Sequence, residues 1–547
     1  MIQKAQFDPQ KLYMIPLGGS GEIGMNLNAY IFGGKILVVD VGVTFERLPG
    51  IEVVMPNIEW LSRQKKHIVG IVFTHAHEDH VGAIGHLWPQ IVAPIYATPF
   101  TAEVVRHKLK EAKVNATVAE LATEGVKKIG PFNIQLVNLT HSIPEPSALA
   151  IQTSAGVVVH TGDWKIDPAP LVGKKTNEKL LKTIGKKGVL ALVCDSTCVF
   201  ERGWSGSEEK VRSFLTDHLS TYKTGRVVVA CFASNIARLF TCYQAAESVG
   251  RKVLLAGRSL ERMSDIARKT GYFDGVPPFL KDTDAKGVSP DKLLIVATGS
   301  QGESRAALRR MACGSHPKLH LDAGDVVIFS SRTIPGNEKE IFALQNQLVL
   351  KGVKVVTPKQ YPDLHVSGHP SRDELKKMYS WLQPRFSLPV HGEARHLLEH
   401  ASFAKSLGVE ALPPRNGDVI LLDGKTGLRK VGEVVSGRLG LDGNQLVPVD
   451  SNFVAERRVL AASGVVFATV CLKRGRLVDL MFSAHGVGEP SIYKDFEKGI
   501  KRILGSDPSL FAGSDAEIKQ VVAKSIRTLC FKQLGKKPHV EVHILGQ

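Results

Sequence analysis

Thr74-His75-Ala76-His77-Glu78-Asp79-His80 stands directly after the apolar run Ile68 to Phe73. Three imidazoles and a carboxylate within six residues, on a loop leaving a buried strand, make poor core chemistry. His and Asp are costly to bury unless they are paired or bind a metal. Imidazole and carboxylate are also the usual ligands of zinc and similar divalent ions. Alternate residues of an extended loop point the same way, so His75 and His77 can share one ion. Asp79 and His80 then reach a second ion nearby. The stretch is a metal site at the end of a buried strand.

Two further ligand candidates also follow strand ends: His141 in Asn138-Leu139-Thr140-His141-Ser142-Ile143, and Asp163 in His160-Thr161-Gly162-Asp163-Trp164. Read alone, either is a turn residue; beside the first cluster they extend the ligand set. The surrounding strands (Ile36 to Val41, Ile68 to Phe73, Ile134 to Leu139, Val157 to His160) are nearly continuous apolar runs, as in a layered α/β fold with strands buried on both faces. After Trp204 the pattern becomes strand, turn, helix: a strand Arg226 to Phe232 with a helix Asn235 to Ser248, a strand Leu293 to Thr298 with a helix Ser304 to Ala312, and a strand Asp325 to Ser330 with a helix Glu338 to Leu350. Such alternation implies a parallel sheet. Gly424 to Asp450 lacks a helical period and reads as a linker with short strands. The last stretch reads as a small α+β module, with strands Val465 to Leu472, Leu477 to Phe482 and His539 to Leu545 around two helices.

The chain has 547 residues, room for roughly three or four domains. Hydrophobic residues at 43% and charged residues at 22% exclude disorder, collagen and coiled coil as descriptions of the whole. No apolar run approaches the roughly 20 residues a bilayer requires. No export signal is visible, and seven dispersed cysteines suit reduced thiols, so a cytoplasmic protein is expected. The net charge of +17 comes from scattered Lys pairs, not from a tail. It suits a polyanion partner, with solubility alone as the plain alternative.

The order of the motifs resembles the metallo-β-lactamase superfamily: a His-x-His-x-Asp-His loop, then His141, then a bridging Asp163, then a distant His. Asp40 fits that superfamily's early aspartate, which braces the ligands from behind. Cys194-Asp195-Ser196-Thr197, the inserted alternation, Leu364-His365-Val366-Ser367-Gly368-His369 and Val390-His391-Gly392-Glu393 resemble its β-CASP nuclease branch. On that match Asp195, His369 and His391 take the later positions. Within the branch the sequence is most similar to bacterial ribonuclease J, through Leu17 to Gly24, Phe232-Ala233-Ser234-Asn235-Ile236, Gly299 to Glu303, Ile334 to Glu338 and His365 to His369. Cys198, and Pro370 after His369, depart from the usual pattern without removing a ligand.

The resemblance implies an α/β chain: a metallo-β-lactamase αββα sandwich (1–205 and 356–425) interrupted by a parallel β-CASP domain (206–355), then a linker (426–455) and an α+β domain (456–547). One zinc ion takes His75, His77 and His141, a second takes Asp79, His80 and His391, and Asp163 bridges them; manganese or magnesium are alternatives. Such a pair, about 4 Å apart, stabilises the attacking and leaving oxygens of an in-line displacement. Asp79 serves as ligand and catalytic group, Asp195 orients the site, and His369 protonates the leaving 3′ oxygen. Ser234 and Asn235, with His365, Ser367, Gly368 and His369, hold an RNA phosphate. Taken alone, Ser234-Asn235 reads as a helix N-cap. The implied activity is a 5′-to-3′ exonuclease and endonuclease on single-stranded RNA, preferring a 5′ monophosphate, in RNA decay and rRNA maturation. The implied assembly is a homodimer or tetramer, away from membranes.

Other features carry less. Gly18 to Gly24 lacks the Lys of a P-loop and reads as a tight turn. Cys194 and Cys198 lack a second pair and read as buried thiols. His160, His485 and the other histidines outside the motifs read as structural. Two alternatives stay open: a small-molecule hydrolase sharing the first motifs, and an inactive RNA-binding scaffold.

Overall fold

The computed structural model describes residues 7–546 apart from Gly475, Pro490, Ile492 and Asp507. The chain forms two compact units, 1–44 with 55–437, and 45–54 with 438–547.

The first unit is built on two facing sheets. One has eight strands in the order Gly427–Glu433, Asp418–Asp423, Leu12–Gly18, Leu27–Phe32, Lys35–Val39, Ile68–Val72, Ile95–Ala97, Val118–Glu120. The other has seven, in the order Val126–Ile129, Phe132–Asn138, Ser147–Thr153, Gly156–His160, Ala191–Asp195, Phe386–Val390, Glu410–Ala411. Both mix parallel and antiparallel pairs. Alternation along the second sheet divides its side chains between two cores. Phe132, Ile134, Leu136, Leu149, Ile151 and Val193 join Leu12, Leu37, Val39 and Val72 of the first sheet. Val137, Ala148, Ala150, Val159, Leu192 and Cys194 face outward against Leu181, Ile184, Leu375, Met378 and Ala401 on helices. Each fully buried aliphatic side chain contributes about 1.5–3 kcal/mol, so the apolar runs are the sandwich's main support. This is the αββα arrangement.

The five-stranded third sheet is parallel throughout, in the order Lys252–Ala256, Leu293–Ala297, Val227–Ala230, Val326–Phe329, Lys354–Val356. It interrupts the sandwich at one place. The chain leaves after Ala191–Asp195 and returns as Phe386–Val390, which pairs in parallel with that same strand, Asp195 opposite Val390. The ends of these two strands, with those of Lys35–Val39, Ile68–Val72, Phe132–Asn138 and Gly156–His160, carry the candidate metal ligands together with Asp40 and Asp195.

Within the expected linker lie three strands. Gly427–Glu433 edges the eight-stranded sheet, while Arg438–Asp442 and Gln445–Pro448 pair antiparallel in the second unit. The second unit also holds a three-stranded sheet, Arg476–His485, Val465–Lys473, His539–Leu545, with Phe496 and Ile500 of the helix Tyr493–Gly505 and Val522 and Ile526 of the helix Asp515–Leu534 packed on it; a further helix spans Asn452–Ser463. No helix of the described residues is long and apolar enough to cross a membrane.

Candidate metal centre

The metal-site loop is held by Asp40, the residue after Lys35–Val39. Asp40 adopts a left-handed backbone (φ 62°), unusual for a residue with a Cβ and typical of constrained sites. Its Oδ1 accepts from the Thr74 amide at 2.8 Å, and its Oδ2 accepts from Thr74 Oγ1 and His80 Nδ1, each at 2.8 Å. One buried carboxylate therefore fixes both the entry of the loop and a ring within it.

Three sets of ligating atoms each lie within 4.8 Å of one another: His75, His77, His141 and Asp163; Asp79, His80, Asp163 and His391; and Asp163, Asp195, His369 and His391. Asp163 belongs to all three. In the first set His77 Nδ1 is 3.2 Å from His75 Nε2 and 3.0 Å from His141 Nε2. In the second, Asp79 Oδ2 is 3.0 Å from His391 Nε2 and 3.6 Å from His80 Nε2, which is 3.2 Å from Asp163 Oδ1. In the third, His369 Nδ1 donates to Asp195 Oδ2 at 2.8 Å.

The rings are oriented from outside. His80 Nδ1 is engaged by Asp40, His141 Nδ1 by the Gly368 carbonyl at 2.6 Å, His391 Nδ1 by Thr197 Oγ1 at 2.8 Å, and His75 Nδ1 by Thr74 Oγ1 at 3.1 Å. An Nδ1 occupied this way leaves Nε2 as the inward atom, the arrangement of metal-ligating histidines. Burial pushes His77 down to about 4 and holds His75 and His141 well below the usual range, so these three are neutral, the ligand form. His80 and His391 are raised: burial opposes their charge, but Asp163 and the neighbouring carboxylates outweigh it. Burial also opposes the Asp163 charge, but His391 and His80 hold it ionised. Asp163 Oδ1 is buried, and His80 Nε2, 3.2 Å away, is not aligned to donate to it. A buried, orphaned carboxylate oxygen amid converging imidazole nitrogens is the environment a divalent cation satisfies, and the residues fit a pair of such ions.

The expected phosphate pocket is only partly assembled. Asn235 Oδ1 accepts from the Arg238 amide at 2.8 Å, so Asn235 is the N-cap of the helix Ile236–Ser248. No direct contact joins Ser234 or Asn235 to His365–His369 among the described hydrogen bonds. Arg238 makes the link: fully buried, it pairs with Glu208 and donates to the Leu364 carbonyl just before His365. His365 is half-buried with Nδ1 unpartnered, and burial followed by the charge of Arg238 holds it well below the usual range. Ser367 Oγ accepts from the His369 amide at 3.0 Å and meets Cys198 Sγ at 3.4 Å. Gly368 contributes a carbonyl to His141, and a Cβ on it would lie 2.6 Å from that ring.

Sequence reasoning missed Asn26, whose Nδ2 meets the Asp79 carbonyl and His80 Nε2, each at 3.1 Å, as well as Thr197 and Arg238. Thr197 alone had a signal, its place in Asp195-Ser196-Thr197. His160, expected to be structural, meets the Tyr30 hydroxyl at 2.9 Å, and Cys194 and Cys198 are buried free thiols.

Comparison with known proteins agrees with this architecture. Residues 25–169 match the metallo-beta-lactamase superfamily, 224–348 the family described as ribonuclease J, beta-CASP domain, and 362–414 the Zn-dependent metallo-hydrolase RNA specificity domain. A ribonuclease J of Sinorhizobium meliloti is 39% identical, with 98% of this chain and 97% of that protein aligned. Ribonuclease J of Thermus thermophilus is 36% identical over 90% of this chain and 86% of its own length. The Helicobacter pylori ribonuclease J is 34% identical over 96% and 78%. A solved structure of an Enterococcus faecalis protein of unknown function shares the fold, with a TM-score of 0.54, 17% identity, and coverage of 75% of this chain and 100% of that one. The chain belongs to the ribonuclease J family, with a metallo-β-lactamase fold and a β-CASP domain.

Proposed function

We propose that the protein is a metal-dependent ribonuclease that removes nucleotides from the 5′ end of single-stranded RNA and also cuts internally, in RNA decay and rRNA maturation in the cytoplasm. The observation that carries the reading is the convergence of two ligand sets on Asp163, with the His369–Asp195 pair beside them. Two divalent ions, zinc by ligand chemistry with manganese or magnesium as alternatives, would supply activated water and neutralise phosphate charge. His75, His77 and His141 would hold one and Asp79, His80 and His391 the other, with Asp163 available to both.

The remaining chemistry belongs to the chain. Asp195 accepts from His369 Nδ1, which leaves Nε2 as the nitrogen that gives a proton to the departing 3′ oxygen. Burial opposes the charge on His369, but Asp195 and Asp163 outweigh it and raise the ring's pKa, which suits a proton donor. Asp79 steadies His391 while serving the second ion. Ser234 and the amides at the Asn235-capped helix end, with His365, Ser367, Gly368 and His369, would receive the 5′ monophosphate, and a 5′ triphosphate should fit poorly. Assembly as a homodimer or tetramer is part of the same reading.

The test is product size from one uniformly labelled RNA bearing either a 5′ monophosphate or a 5′ triphosphate, with manganese or chelator. Metal-dependent mononucleotide release, faster from the monophosphate, is expected. Internal fragments indifferent to the 5′ end would remove the end pocket. No cleavage in any metal would put a small-molecule hydrolase or a scaffold first.

A further inference from the structure

Two chain segments leave the centre and meet again at the surface. One follows Asp195. Its turn is tied down residue by residue: Ser196 Oγ meets His400 Nδ1 at 2.9 Å, Thr197 engages His391, and Cys198 Sγ meets Ser367 Oγ. The turn closes with Val199 and Glu201 amides donating to the Ser196 and Cys198 carbonyls. Val199 is buried, and the next side chain, Phe200, is 48% exposed. The other segment follows His391 into the helix Ala394–Ser406 and carries Arg395 and His396. Here they converge: the Arg395 guanidinium lies 5.9 Å from the centre of the Phe200 ring, and the His396 ring lies 5.3 Å from it, edge to face. His396 is buried, and its Nδ1 has no hydrogen-bond partner.

A third segment adds a second cation. Arg332, two residues past the buried Ser330 of the inserted domain, donates to Cys198 Sγ at 3.3 Å and to Glu201 Oε1 at 2.9 Å, on either side of Phe200 in sequence. Glu393 lies between Arg395 and His396, its Oε2 accepting from Arg395 Nε at 2.8 Å and lying 3.9 Å from His396 Nδ1. Singly exposed apolar side chains are ordinary. This one differs in its neighbours, an arginine and a histidine instead of aliphatics, and in being fixed to a turn that begins at Asp195.

An aromatic face flanked by guanidinium groups is how proteins hold single-stranded nucleic acid without reading its sequence. We propose that Phe200 is a stacking platform for one nucleobase of the bound RNA, with Arg395 and Arg332 on the flanking phosphates. The site is a subsite for a base of any identity and sets which phosphodiester is presented to the centre. It rests on the ribonuclease reading and adds to it a positioning residue outside the metal and phosphate groups.

The experiment measures KM and kcat of the full chain on a 5′-monophosphorylated oligoribonucleotide, and on a series in which one abasic nucleotide is moved along the strand. The enzymes are the wild type, Phe200→Ala and Phe200→Tyr. Stacking of this kind predicts a rise in KM of roughly tenfold to a hundredfold in Phe200→Ala, kcat little changed, and recovery in Phe200→Tyr. In the wild type a single abasic position should raise KM equally, and in Phe200→Ala that position should have no further effect. Phe200→Ala with an unchanged KM, or with a penalty that adds fully to the abasic penalty, overturns the platform while leaving the nuclease intact. A wild-type enzyme that cleaves no RNA overturns both.

Discussion

Gly368 shows how much a single residue can do without a side chain. Its carbonyl accepts from His141 Nδ1, and the space where a Cβ would sit is filled by the ring it orients. Gly368→Ala should push that ring away and lower affinity for one ion by about 10- to 100-fold, the usual cost of disturbing a ligand's supporting contact. Metal content after dialysis against a graded chelator measures it, and an undiminished content would refute the supporting role. The ligand types were legible in the sequence because imidazole and carboxylate beside a strand end have few other uses. Gly368 was legible only as a phosphate-pocket residue. Its part in holding His141 depends on a backbone oxygen, whose direction no residue type encodes. Asn235 makes the opposite point: the plain N-cap reading matches the observed bond, since Asn at a helix start satisfies an amide that would otherwise be orphaned. Arg238 was invisible, because a buried arginine looks like any other helical arginine until Glu208 and the Leu364 carbonyl surround it.

Among the elements, the helices Glu178–Lys187 and Arg372–Leu382 pack against the outer core of the seven-stranded sheet, with Leu181, Ile184, Leu375 and Met378 facing inward. They approach so closely at Gly185 that a Cβ there would sit 2.1 Å from the Trp381 carbonyl oxygen. Gly185→Ala should therefore destabilise the first unit by about 1–3 kcal/mol, the range for overpacking, despite alanine's better helix propensity. Thermal unfolding of the variant reads this directly, and an unchanged or higher midpoint would show that the two helices can slide apart. Most buried strands could be read from their apolar runs, and so could the helix Glu338–Leu350. Thr44–Leu48 and Ile51–Pro56 could not. They alternate irregularly, and they share a sheet with Arg438–Asp442 and Gln445–Pro448, whose distance along the chain hides the pairing.

For the molecule as a whole, pH acts through histidines buried uncharged. His400 lies between Ser196 Oγ and the Tyr379 hydroxyl at 2.9 and 3.0 Å, and burial pushes it down to about 4. The unfolded chain binds a proton at this residue below pH ~6.5 and the folded chain does not, so stability falls as pH drops from there toward 4. The loss amounts to about 3 kcal/mol from this one group. His400→Gln should flatten the dependence of the urea midpoint on pH over that window; an unaltered slope would mean that other groups carry it. The insertion of the five-stranded sheet between two adjacent strands has a further consequence, for synthesis on the ribosome. Ala191–Asp195 is made about 190 residues before Phe386–Val390, the neighbour it pairs with. At about 5–20 residues per second this leaves an apolar strand edge open for roughly 10–40 seconds. His391 emerges last among the candidate ligands, so a nascent chain holds an incomplete ligand set through that interval.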